Sequence, residues 1–291
     1  MSSYLNVFNF FRERLFKDFI FQIFASLWSK SISILIIPIL ANYLGPENFG
    51  KIDFFFIIIA LISIVLCFEI FQTISPYLLG HKRNKKSDKI FNSIIKIFPI
   101  WSFVIVVLSF TIIETFQIFD ESLRVWWIPT LILVSASNLT FEYFRWSGLS
   151  KMFTISFLVQ SSIMFLLSFY IIYFELISTL SFIIITNISY LSVTLVGIFY
   201  YLKIFYKNDL FDKKNYLEKI NSNLIFSYFK NNGVLTLSIY AQLLAISLDR
   251  IITGTLSENN ELLGELSYSY RLAWGAASII LFSLQVTMQP W

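Results

Sequence analysis

The chain has 291 residues, of which 57% are hydrophobic and 14% are charged, and its formal net charge is +4. Apolar residues, including 33 phenylalanines, run along the whole length and argue against a water-soluble globular protein. The modest positive charge is confined to a few segments, so we expect no nucleic-acid partner.

The predicted elements are membrane-spanning helices. A run of about 20 apolar residues crosses a hydrocarbon core near 30 Å, because a helix rises about 1.5 Å per residue. Eight such runs predict an all-α, polytopic membrane helix bundle. The predicted spans are residues 19–43, 52–79, 91–113, 125–145, 152–174, 177–201, 233–255 and 265–289.

Four segments organise these spans. Residues 1–18 have mixed charge and scattered phenylalanines, which predict a short interfacial helix. Residues 19–202 form a first lobe of six helices, and the charged residues 203–232 form a cytoplasmic linker. Residues 233–291 begin a second lobe with two helices.

The basic residues orient the bundle. With the N-terminus inside, fifteen lysines and arginines lie on the cytoplasmic side and two, Lys51 and Arg124, lie on the opposite side. This asymmetry follows the positive-inside rule and places both termini in the cytoplasm. The basic loop 81–89 also lies where it can touch anionic lipid headgroups.

The sequence gives little support to an enzyme. It contains neither a GxGxxG nor a DxD pattern, and one histidine and one cysteine cannot build a zinc site or a Cys–His nucleophile pair. The near P-loop at Gly45–Ile52 has isoleucine where a magnesium-binding hydroxyl belongs, so we interpret it as a tight turn. In that turn Gly45 and Gly50 supply backbone freedom. No cofactor or metal is expected.

Polar residues inside the spans are the main functional signal. A charge near the bilayer centre costs about 2.5–3.5 kcal/mol on insertion scales, so it usually faces a bundle interior or a wet cavity. Five predicted helices carry a narrow polar stripe, which together predict a hydrated lumen. The candidate lumen residues are Lys30, Glu69, Asn138, Glu142, Asp249 and Arg271.

Two of these residues are predicted to lie at the same depth in the membrane. Asp249 lies seven residues before Leu256, and Arg271 lies seven after Gly264, so both fall about 10 Å below one turn. They form either an ion pair or a site in which Arg271 binds phosphate and Asp249 tunes it. Arg250 points about 100° away from Asp249 and has no assigned role.

Two hairpins look alike. Leu44-Gly-Pro-Glu-Asn-Phe-Gly50 joins the first two spans, and the segment from Leu256 to Gly264 joins the last two. Such an echo is typical of transporters built from two related lobes.

With Ile36-Ile-Pro-Ile-Leu, Leu248–Gly254 and Gly264–Ala273, these segments make the chain resemble Wzx-like polysaccharide (O-antigen type) repeat-unit flippases. These flippases belong to the multidrug/oligosaccharidyl-lipid/polysaccharide exporter superfamily. The resemblance implies twelve or more helices in two lobes around a cationic lumen, in the bacterial cytoplasmic membrane. The chain ends two helices into the second lobe, so we expect it to be truncated.

The implied function is translocation of polyprenyl-pyrophosphate-linked oligosaccharides for surface polysaccharide synthesis. Lys30 and Arg271 would hold the diphosphate, the polyprenyl tail would stay among membrane lipids, and H⁺ or Na⁺ would be the coupling ion. Two alternatives stay open: a cation-coupled small-molecule or drug exporter of the same superfamily, and a membrane polysaccharide polymerase or glycosyltransferase.

The predicted topology is testable by cysteine labelling. With Asn84→Cys and Asn259→Cys introduced one at a time, a membrane-impermeant maleimide should reach position 259 from outside intact cells. Position 84 should react only after the membrane is opened. Labelling of both positions from the same side would contradict the topology.

Overall fold

The computed structural model describes residues 2–68, 85–146, 149–208, 222–256 and 261–274, and its regular structure is helical throughout. The predicted all-α membrane helix bundle is confirmed. The helices are α1 (Ser2–Cys67), α2 (Lys85–Phe116), α3 (Glu121–Arg124), α4 (Trp127–Trp146), α5 (Ser150–Tyr173), α6 (Thr179–Asn208), α7 (Ser222–Leu256) and α8 (residues 261–274).

Four helical stretches among the described residues are long and apolar enough to cross a membrane. They are Ile23–Cys67, Phe98–Phe116, Ser150–Tyr173 and Thr179–Tyr200. The first stretch contains residues 23–43 of the first predicted span and residues 52–67 of the second. The predicted spans 125–145 and 233–255 correspond to α4 and α7. Residues 69–79 and 275–289 of the second and eighth predicted spans lie outside the described residues.

The predicted segment boundaries lie within continuous helices. Residues 2–18 continue into the first span as one helix, α1. At the linker, α6 extends to Asn208 and α7 begins at Ser222. Residues 209–221 lie outside the described residues. Helix formation continues past the apolar window because most residues in these flanks are tolerated in helices.

A kink at Gly45 divides α1 into a first arm (residues 2–44) and a second arm (residues 46–67). Gly45 has φ 75° and ψ 160°, a conformation that is costly for a residue with a Cβ atom. Pro46 follows at the first position of the second arm, where its missing N–H is harmless. The prediction of a turn at Gly45 is confirmed, but Gly50 lies in regular helix and is not part of it.

The second arm of α1 forms the centre of the larger core. Its Phe55 and Ile59 are fully buried against α4 and α6, where Trp127, Leu131 and Ile183 are also fully buried. The first arm packs through Ile36 and Leu40 into a second cluster. Large apolar side chains on the outer faces of the described helices, such as Phe103 on α2, are exposed, as expected for surfaces that contact lipid.

The two hairpins meet at one end of the bundle. A Cβ atom on Gly264 would clash with the Pro46 carbonyl oxygen, so α8 packs directly on the backbone of the Gly45 turn. Lys51 near the same turn pairs with Asp120, at a distance of 3.3 Å, in the connection before α3. We call the end that carries Pro46, Asp120 and Gly264 the outer end, because the charge asymmetry predicts that it faces away from the cytoplasm.

The tight contact at the outer end predicts a position-specific effect of adding a methyl group. Gly264→Ala should destabilise the protein by about 1–3 kcal/mol, the usual cost of overpacking a close contact. Gly233→Ala is the matched control, because Gly233 is also helical and has no atom within 4 Å of its Cβ position. The measurement is thermal unfolding of both variants in one detergent. Equal melting temperatures would contradict the packing of Gly264 on Pro46.

Candidate functional site

A cavity of about 370 Å³ lies below the outer end of the bundle. The second arm of α1 contributes four lining residues on one helical face, from Asp53 to Ala60, and α4, α5, α6, α7 and α8 complete the wall. Asp53 and Ala60 are two turns apart, so the cavity extends about 10 Å along this arm. Polar lining groups include Gln160, Thr186 and Ser247.

Three charged residues from three helices meet at the outer end of this cavity. Asp53 on the second arm of α1 accepts a hydrogen bond of 2.9 Å from Arg250 Nη1 on α7 through Oδ2. Through Oδ1 it accepts a bond of 2.6 Å from Arg271 Nε on α8. We call Asp53, Arg250 and Arg271 the charge triad.

Arg250 is the deeply buried cation of the triad, since only 4% of its side chain is exposed. Its Nη2 atom donates to Ser247 Oγ at 3.3 Å, and its guanidinium lies over the Tyr270 ring, 3.9 Å from the centroid. A carboxylate, a hydroxyl and an aromatic face together replace much of the hydration that this cation loses on burial.

Arg271 is held more loosely. Its side chain is 25% exposed, and it lines the cavity beside Trp274. The Phe49 ring lies 5.6 Å from its guanidinium carbon. Because Asp53 binds the guanidinium through Nε, its two Nη groups are not used in the ion pair. Arg271 therefore presents a planar, charged donor group at the wall of the cavity.

The charges in the triad do not balance. Two guanidinium groups share the Asp53 carboxylate, so the triad itself carries one net positive charge. The exposed Asp249 carboxylate, 3.8 Å from Arg250 Nε, offsets part of this charge on the side of Arg250 and leaves Arg271 with Asp53 as its ion-pair partner. In a low-dielectric interior an uncompensated charge is costly, and an anionic ligand would lower that cost. The arrangement is therefore suited to binding an anion.

The predicted pair of Asp249 and Arg271 is wrong. The Asp249 side chain is 55% exposed and its Oδ1 accepts a hydrogen bond from the Arg250 backbone N–H at 2.8 Å, whereas Arg271 pairs with Asp53. The face of α7 toward the cavity carries Leu243, Ser247 and Arg250. The helix is thus rotated by about 100° relative to the predicted polar stripe.

Of the other predicted lumen residues, none that the structure describes lines this cavity. Lys30 is half-buried in the first arm of α1. Asn138 donates to Ser63 Oγ at 3.3 Å, in a small polar cluster with Ser135. Glu142 pairs with Arg145. Glu69 lies outside the described residues.

Sequence reasoning missed Asp53, although a signal was present. Asp53 is a carboxylate immediately before Phe54-Phe-Phe and lies inside the predicted span 52–79, where a charge is unexpected. It also lies seven residues after Pro46, as Arg271 lies seven after Gly264, so both reach the same depth below the outer end. The predicted turn at Gly45–Ile52 ends one residue before Asp53.

Comparison with known proteins gives one family match. The family described as "Polysaccharide biosynthesis protein" matches residues 15–291, nearly the whole chain. No curated protein and no solved structure shows significant similarity to the chain.

The charge triad predicts that Asp53 matters more for folding than the exposed carboxylate of Asp249. Asp53→Asn should destabilise the protein by about 3–5 kcal/mol, because it removes the counterion that the buried Arg250 and the partly exposed Arg271 share. Asp249→Asn, at an exposed carboxylate four residues before Thr253, should change stability by no more than about 0.5 kcal/mol. Thermal unfolding of both variants in the same detergent measures the difference. Equal melting temperatures would contradict the role of Asp53 as the shared counterion.

Proposed function

The chain belongs to the polysaccharide biosynthesis protein family of Wzx-like flippases, and on this premise we propose that it translocates lipid-pyrophosphate-linked oligosaccharide repeat units across the bacterial cytoplasmic membrane. Members of this family are transporters rather than enzymes, and the chain is a multi-pass membrane protein with a general role in polysaccharide export. The observation that carries the proposal is the positively charged triad on the wall of the cavity.

The charge of the triad suits a diphosphate. Removing Arg271 would leave the carboxylate of Asp53 balanced by Arg250, so the fold does not require the second guanidinium for charge balance. Its planar fork forms paired hydrogen bonds with phosphate oxygens, which a lysine cannot reproduce. We therefore assign Arg271 to the substrate diphosphate and Arg250 to the positioning of Asp53.

The rest of the cavity suits the glycan. Sugar hydroxyls lose hydrogen bonds to water when they enter hydrocarbon, and each unpaired group costs free energy. Gln160 provides donors and an acceptor on the cavity wall. The Thr186 and Ser189 hydroxyls donate to helix carbonyls, and their oxygens can accept hydrogen bonds. In this proposal the glycan passes along the polar wall while the polyprenyl tail remains in the surrounding lipid, so only the polar part of the substrate needs a path.

Lys30 does not share the diphosphate site with Arg271. Lys30 lies sixteen residues before Pro46, and Arg271 lies seven residues after Gly264. Pro46 and Gly264 are in contact, so both depths can be counted from the same point. In straight helices Lys30 is therefore roughly 13 Å further from the outer end. We propose that Lys30 meets the anionic substrate at a different depth, nearer the predicted cytoplasmic side.

Two substitutions test the role of Arg271. Arg271→Lys keeps the positive charge but loses the planar guanidinium, and Arg271→Gln removes the charge. Losing a hydrogen bond to a charged group costs about 1.5–3 kcal/mol, so Arg271→Lys should slow the appearance of surface glycan by roughly ten- to a hundredfold. Arg271→Gln should slow it at least as much, while protein abundance and melting temperature stay near those of the parent. Surface glycan and membrane protein level are measured in the same cells, which lack any other flippase for this glycan.

Arg124→Lys is the matched control, because Arg124 pairs with Glu114, 3.8 Å away, and does not line the cavity. This variant should leave glycan export unchanged. If export by the Arg271 variants falls only in proportion to their abundance, Arg271 serves the fold alone and the diphosphate assignment is wrong.

A further inference from the structure

The charge triad lies between the helix contact at the outer end and the cavity. On its outer side, Gly264 packs on the Pro46 backbone. On its inner side lies the cavity that Arg250 and Arg271 line. All three charged groups therefore lie where the second arm of α1 meets α7 and α8, at the outer limit of the cavity.

A second close contact joins the same helices. A Cβ atom on Gly254 of α7 would lie 2.6 Å from the Phe54 ring, one residue from Asp53. Together with the Gly264 contact and the two ion pairs, it joins the first hairpin to α7 and α8 across about 200 residues of sequence. A path that leaves the cavity between the second arm of α1 and helices α7 and α8 toward the outer end has to separate these contacts.

From this geometry we infer that Asp53 is a positioning residue that holds the outer end of the cavity closed through Arg250 and Arg271. We infer further that an anionic diphosphate opens this end by competing with Asp53 for Arg271. The second part rests on the proposed function, and the first part does not.

The asymmetry of the triad explains why Arg271 is the group that releases. Arg250 is bound by Asp53, Ser247 and the Tyr270 ring, and is buried. Arg271 is bound by Asp53 through Nε alone and is partly exposed in the cavity. A diphosphate in the cavity can engage the Nη groups of Arg271 and draw it away, while Arg250 keeps Asp53 neutralised.

The contact between Phe54 and Gly254 supplies a direct reporter of closure. The double variant Phe54→Cys/Gly254→Cys is made in a Cys67→Ser background. Because the Phe54 ring packs against Gly254, the two new sulfur atoms should be within disulfide range. Membranes containing the full 291-residue chain are treated with copper phenanthroline. Disulfide formation is followed as loss of labelling by a polyethylene-glycol maleimide.

Two changes to the triad test the closure. Asp53→Asn and Arg271→Gln should each slow disulfide formation by about threefold or more, the effect of weakening an ion pair on an equilibrium. Arg271→Gln leaves a balanced Asp53–Arg250 pair, so it remains informative if Asp53→Asn lowers the yield of folded protein. Arg124→Lys is the control and should crosslink at the parent rate. Unchanged rates in the folded triad variants overturn the closing role of Asp53.

Release is tested with farnesyl diphosphate as the probe and farnesol as its uncharged control. Farnesyl diphosphate should slow disulfide formation in the parent by about threefold or more and have no effect in Arg271→Gln, whereas farnesol should have no effect. An equal effect of farnesol, or no effect of the diphosphate, overturns release by the anion. Export of surface glycan by the parent chain is scored separately, so failure of the proposed transport is distinguished from failure of the closure.

Discussion

The structure depends on the cost of placing the Asp53 carboxylate inside an apolar helix. An isolated carboxylate in hydrocarbon costs many kcal/mol, so the second arm of α1 is stable there only with a cation beside Asp53. Arg250 and Arg271 supply that cation from positions 197 and 218 residues away. Since buried ion pairs contribute little net stability, the main effect of the triad is to specify which helices meet and in which register.

Small residues set how closely the helices that carry these ion pairs approach. Glycine at a helix contact lets two backbones come close together. Gly264 on Pro46 and Gly254 on Phe54 allow that approach on α8 and α7 respectively. The steric contact therefore fixes the depth at which the charges meet, and the charges fix the rotation of each helix about its own axis.

The sequence predicted the helices better than it predicted their partners. Hydropathy located α1, α2, α5 and α6 because long apolar runs are needed to cross a membrane. Periodicity shows which residues share a face of α7, but not which face turns inward, so Asp249 was chosen instead of Arg250. The repeat compares Gly264 with Gly50 as equivalent positions, but it does not show which residue Gly264 touches, and in the structure that residue is Pro46. The inward face of α7 and the partner of Gly264 both depend on contacts between helices, which a sequence pattern does not show.

In the proposed function, the positive charge of the triad links the fold to transport. One guanidinium is enough to neutralise Asp53, and Arg250 already has three partners that keep it in place. The second guanidinium therefore adds a positive charge that the helices do not need, next to a cavity in which that charge is only partly hydrated. In the proposed mechanism, the shared carboxylate of Asp53 orders Arg271 until another anion replaces it. A balanced ion pair could specify the same helix contacts, but it would offer an arriving diphosphate no free charge to bind.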